Sequence, residues 1–103
     1  MNVILEVEYI YDAEAEECYD VWRDTLGDPY PRWLERSPEY RAAFALAISR
    51  WIEKPESADP YIDIAPALGY DVPWHELSPT TREAITAIYE RAMDIRKSYN
   101  DFR

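Results

Sequence analysis

The stretch from Ser37 to Lys54 reads SPEYRAAFALAISRWIEK, and every residue from Ala42 to Ile48 is apolar. A helix on the surface of a domain interleaves polar residues with its apolar stripe, and this one barely does. Ser37 offers an N-cap oxygen, Pro38 suits the first helical position, and Glu39 places a negative charge in the first turn. The sequence therefore predicts a central helix surrounded by other elements, with Phe44 and Trp51 in the core.

At 103 residues the chain is expected to form one small acidic domain over its whole length, 1–103, with a modest core. Ahead of the central helix lies MNVILEVEYIY. Val3, Leu5, Val7, Tyr9 and Tyr11 recur at period two, opposite Glu6 and Glu8, which is the pattern of a half-buried strand. A strand must satisfy its backbone groups. The internal candidates are Tyr61–Ile64 and Tyr70–Val72. The other solution is pairing with a second copy across a two-fold, as a homodimer. Asp12 is the expected N-cap of a helix running to about Leu26, with Gly27 as its stop. Ala15, Cys18, Trp22 and Leu26 share a face of it. Pro29 and Pro31 make the next stretch a connector, with a short helical turn starting at Trp33 and Leu34.

Beyond the central helix, Pro55, Pro60, Pro66 and Pro73 exclude a long helix up to Leu77. Tyr61, Ile62, Ile64, Leu68, Tyr70, Val72 and Trp74 make the same stretch too apolar for a slack linker. It reads as an ordered loop wrapped on the core, with one helical turn at Pro66–Leu68. Ordered loops of this length in small domains often carry function. Ser78-Pro79 repeats the helix start, and the helix is expected to run to about Ser98. Thr81, Ile85, Ile88, Ala92, Ile95, Tyr99 and Phe102 alternate in steps of three and four, a seam for packing on the central helix. The expected fold class is α+β and predominantly helical: an N-terminal strand, three main helices and an ordered proline-rich loop. An all-α fold is the alternative.

Chemistry is sparsely represented. His75 is the only histidine, without a cysteine cluster to complete a zinc site or an identifiable partner for acid–base work. Cys18 lies among acids that disfavour its thiolate, so it reads as a small buried residue. Glu56, Asp59 and Asp63 match no EF-hand spacing and lack its tight-turn glycine. With only Gly27 and Gly69, no glycine-rich phosphate loop exists. The expectation is a protein that is not an enzyme and needs neither cofactor nor metal. No secretory pattern is visible, the lone cysteine fits a reducing compartment, and the longest apolar run is far short of a membrane span. A soluble cytoplasmic protein with no membrane partner is expected.

Charge says more. With 11 Lys+Arg against 21 Asp+Glu, the formal charge is −10. Such a chain repels phosphate backbones and is drawn to basic surfaces, including those that themselves bind nucleic acid. The excess sits in two stretches. Residues 1–20 hold Glu6, Glu8, Asp12, Glu14, Glu16, Glu17 and Asp20 and no base. Residues 53–76 hold Glu53, Glu56, Asp59, Asp63, Asp71 and Glu76 against Lys54 alone. Glu16, Asp20 and Asp24 form an i, i+4 row, which costs a helix roughly 0.2–0.5 kcal/mol per like-charged pair. Such a row serves either as a solubilising surface or as a carboxylate array that imitates the phosphates of a nucleic acid.

Aromatic residues are the second signal: nine Tyr, four Trp and two Phe. Tyr30, Trp33, Tyr61, Tyr70 and Trp74 lie in proline-rich connectors, where full burial is harder. Tyr and Trp are frequent interface anchors. The expected contact residues are Glu14, Glu16, Glu17, Asp20 and Asp24 on the first helix, with Tyr61, Asp63, Tyr70 and Trp74 in the loop. The expected function is non-enzymatic: an acidic protein that inhibits or regulates a larger basic, nucleic-acid-binding protein. In size and charge the chain is similar to phage-encoded inhibitors of the anti-CRISPR and anti-restriction type; no motif carries that likeness. Alternatives are an antitoxin or immunity protein against a basic nuclease, and a small-ligand binder using the Tyr/Trp-rich loop of residues 55–77.

Overall fold

In the computed structural model, residues 3–27 and 30–100 are described, and they form four α-helices with three 3₁₀ turns between them. Helix α1 spans Val3–Leu26, α2 Pro38–Glu53, α3 Ala65–Leu68 and α4 Pro79–Asn100. The 3₁₀ turns are Trp33–Glu35, Pro55–Ser57 and Trp74–Glu76.

The N-terminal strand is a misreading. Residues from Val3 onward belong to α1, and Asp12 sits inside that helix rather than capping its start. Among the described residues no strand exists for a partner: Tyr61–Ile64 is a turn leading into α3, and Tyr70–Val72 is irregular. A helix closes its backbone hydrogen bonds within itself and needs no partner. The spacing permits it, because Ile4, Val7 and Tyr11 run on into Ala15, Cys18 and Trp22 in steps of three and four. The fold among the described residues is all-α. With no unpaired strand among the described residues, no backbone edge requires a second copy.

Other expectations hold. Gly27 ends α1 with φ +83°, and its N–H donates to the Arg23 carbonyl at 2.7 Å. This left-handed residue just past the last turn is the usual glycine helix stop. The Ser37 hydroxyl accepts from the Tyr40 N–H at 3.1 Å, and the Ser78 hydroxyl accepts from the Thr81 N–H at 3.1 Å. The turns foreseen near Trp33 and near Pro66 are both present.

Helix α2 packs against α1, α3 and α4, and α4 packs most extensively on α1. Glu17 meets Arg91 while Glu14 meets Tyr99, so α1 and α4 run antiparallel. Into the shared core α1 sends Ala15, Cys18, Tyr19 and Trp22. Helix α2 sends Phe44, Ala45, Ala47, Ile48, Trp51 and Ile52, and α4 sends Ala84, Ile85, Ile88 and Ala92. Helix α2 is not enclosed all round: Ala43, Leu46, Arg50 and Glu53 form an exposed stripe, with Leu46 44% accessible. On the α4 seam Ile85, Ile88 and Ala92 are fully buried, Thr81 and Ile95 half-buried and Tyr99 exposed, while Phe102 lies outside the described residues.

Trp33 belongs to the core. Despite its place beside Pro31 it is 1% exposed. Its ring lies 5.5 Å from Tyr19 and 5.6 Å from Phe44, so the connector is folded back as a lid on the α1–α2 core. The Tyr19 hydroxyl donates to the Pro31 carbonyl at 2.5 Å, and Arg36 Nε donates to that hydroxyl at 2.8 Å. The Arg36 guanidinium stands 4.3 Å from the Tyr40 ring centroid, within cation–π range.

Candidate functional site

The five acids predicted on α1 separate into two groups. Glu14 and Glu17 face α4. A Glu17 carboxylate oxygen lies 3.2 Å from Arg91 Nη1, and the Tyr99 hydroxyl donates to Glu14. Both residues serve the α1–α4 interface. Glu16 is half-buried at the flank of the core face, whereas Asp20 and Asp24 are exposed. Among the described residues, no hydrogen bond or ion pair engages the carboxylates of Glu16, Asp20 or Asp24. The i, i+4 geometry of α1 sets these three one turn apart, with neighbouring Cβ atoms about 5–6 Å from each other.

Four of the basic residues make intramolecular contacts of their own. Arg23 Nε donates to the Tyr30 carbonyl at 2.8 Å and Arg96 Nε to the Ile52 carbonyl at 3.0 Å. Arg36 is held by Tyr19 and Tyr40, and Arg91 by Glu17. Four guanidinium groups thus make intramolecular contacts, and of the acidic row Asp20 and Asp24 are exposed and Glu16 half-buried. The surface field along α1 is correspondingly negative.

The loop residues form a second feature. Tyr61 and Trp74 meet edge to face, with ring centroids 5.5 Å apart, and the Tyr61 hydroxyl donates to the Val72 carbonyl. With Tyr89 of α4 they line an open, mainly apolar cleft of about 580 Å³. Ile62 beside it is 68% exposed and Trp74 36%. The Asp59 side chain accepts from the Tyr61 and Ile62 N–H groups at 3.1 and 2.9 Å, which fixes the turn that presents Tyr61.

Asp63 is turned inward. Its Oδ2 accepts from the Trp51 indole N–H and from the Asp59 N–H, both at 2.9 Å. It fastens the loop to α2 and is not displayed as a contact group. Tyr70 is half-buried. Burial raises the pKa of its phenol, Tyr30 adds to the shift, and the Trp22 and Thr81 side chains oppose it. Asp20, Asp24 and the Tyr61–Trp74 cleft are displayed, Glu17 is exposed but paired with Arg91, and Glu14 and Asp63 are half-buried and hydrogen-bonded within the fold.

The groups discounted for chemistry have clear places. His75 is exposed, with Nε2 3.8 Å from a Glu76 oxygen. Cys18 is fully buried, and burial, with Glu17 and Glu14 against the opposing Arg91, pushes its thiol up to about 12. Among the described residues no three His, Cys, Asp or Glu side chains gather as metal ligands, and no helix is long and apolar enough to cross a membrane.

Sequence reasoning missed Asp59, Ile62 and Tyr89. Asp59-Pro60 is a turn-initiating pair, which signals a side chain that caps the next backbone groups. Tyr89 stands one turn beyond Ile85 on α4, and its contact with Trp51, 5.3 Å between ring centroids, depends on tertiary packing. The chain matches no family model, no curated protein and no solved structure.

Proposed function

We propose that this chain is a non-enzymatic acidic binding protein that occupies a basic, nucleic-acid-binding surface on a larger protein. The observation that carries this reading is the row Glu16, Asp20 and Asp24, which has no hydrogen bond or ion pair among the described residues and whose Asp20 and Asp24 are exposed. Leaving like charges one turn apart costs a helix a few tenths of a kcal/mol per pair. A role that uses the charge accounts for retaining it. Against a basic groove, such a row speeds encounter and fixes orientation through complementary potentials.

In this reading the protein inhibits or regulates its partner by standing where phosphates would stand, in the manner of phage-encoded anti-CRISPR and anti-restriction inhibitors. The test is affinity capture from a host lysate with the wild type and with Glu16→Gln/Asp20→Asn/Asp24→Asn. The wild type should retain a basic nucleic-acid-binding protein, and the triple variant, with an unchanged circular dichroism spectrum, should lose it. Equal retention by both would remove the row from the interface.

A further inference from the structure

The cleft beside Tyr61 and Trp74 has a chemistry of its own. Its volume of about 580 Å³ falls within the range of small-ligand sites, about 300–1,000 Å³. Three aromatic rings line it, Tyr61, Trp74 and Tyr89, with Pro60 and Pro73 adding apolar wall. Aromatic faces attract a cation placed within about 6 Å of the ring centroid. The side chain along this lining that is charged at neutral pH is the Asp59 carboxylate, held beside the rings by its bonds to the Tyr61 and Ile62 N–H groups. Glu56, Asp71 and Glu76 in the flanking sequence are exposed but, like Lys54 and His75, do not line the cleft. Arg82, one turn before Thr86 on α4, does not line the cleft. Such a site repels anions and holds an apolar body that carries positive charge.

We propose that this cleft binds a small organic cation, a substituted ammonium group on an apolar body. The rings and the Asp59 carboxylate receive the charge, and the prolines and Ile62 receive the body. The site does not depend on the acidic row of α1.

The probes are acetylcholine and its uncharged carbon isostere 3,3-dimethylbutyl acetate, which differ in charge and little in shape. Binding is followed through the Trp74 indole N–H in ¹H–¹⁵N spectra of the whole chain. Acetylcholine should shift that resonance saturably and bind at least tenfold tighter than the isostere. Asp59→Asn keeps an acceptor for the two N–H groups and removes the charge, so it should weaken acetylcholine severalfold while leaving the isostere unchanged. Trp74→Leu should abolish the response of the neighbouring Tyr61 and Ile62 amides. Glu16→Gln/Asp20→Asn/Asp24→Asn should bind acetylcholine as the wild type does, which separates failure here from failure of the partner-binding reading. Equal affinity for the two probes would overturn the proposal in favour of a neutral apolar ligand. Tighter binding of N-acetylarginine amide than of acetylcholine would overturn it in favour of a partner's basic side chain. No shift at Trp74 with acetylcholine would overturn it outright.

Discussion

Phe44 touches Tyr19, Trp33 and Tyr40, with ring centroids 5.8, 5.6 and 6.4 Å away, and is fully buried. Truncating an aromatic side chain in such a cluster removes its burial and leaves a cavity. Phe44→Ala should cost roughly 3–5 kcal/mol, a large part of the stability of a domain this small. Thermal melting checks it, with a drop of well over 10 °C expected at about 4–8 °C per kcal/mol. Asp63 makes a different point, because its carboxylate carries two internal hydrogen bonds and joins the loop to Trp51. Asp63→Ala should cost about 1–3 kcal/mol through the unsatisfied donors it leaves, and Trp51 fluorescence should follow the loss in denaturant. Cys18 links pH to stability. Its ordinary pKa of 9.0 is pushed up to about 12 in the fold. Between these values the unfolded chain has released the proton and the folded chain has not. Stability is therefore full below about pH 9 and falls as pH rises towards 12. Tyr40, whose phenol is raised by burial, adds to the fall above its ordinary value of 10.0. Denaturant unfolding at pH 8 and pH 10.5 should show the drop, and Cys18→Ala should reduce it.

At the scale of elements, the sequence was legible wherever the chain carries its own punctuation. The Ser-Pro starts of α2 and α4, the Gly27 stop and the apolar turn at Ala65–Leu68 are local chemistry, and the structure keeps all of them. The first half of α1 was not legible. Val3, Ile4, Leu5, Val7, Tyr9, Ile10 and Tyr11 leave so few polar positions that period two and period 3.6 both fit. What decides between them is the supply of hydrogen-bond partners, and that is a property of the whole fold. Val7→Pro discriminates directly. In a continuous helix it removes a backbone hydrogen bond and clashes with the preceding turn, at about 3 kcal/mol or more. Helical signal and melting temperature should both fall; an unchanged melt would place residue 7 outside any helix. The candidate site was legible in the same partial way. Spacing located the row Glu16, Asp20, Asp24. Only packing could show that Glu14 and Glu17 meet residues of α4, that Asp63 bonds to Trp51, and that Tyr89 joins Tyr61 and Trp74.

The molecule as a whole carries a formal charge of −10. Four arginines make intramolecular contacts, as do Glu14, Glu17, Asp59 and Asp63, while Asp20 and Asp24 of α1 are exposed. The proposed function rests on the carboxylates that stay exposed along α1. Exposed charges act on a partner over about 8 Å at physiological ionic strength, and salt shortens that reach. The most direct measurement is displacement of the captured partner from immobilised wild-type protein by duplex DNA and by a salt gradient, with the triple variant Glu16→Gln/Asp20→Asn/Asp24→Asn alongside. The account predicts that duplex DNA releases the partner, that retention falls steeply with salt, and that the folded triple variant retains little from the start. Retention that duplex DNA does not displace, and that the triple variant matches, would contradict it.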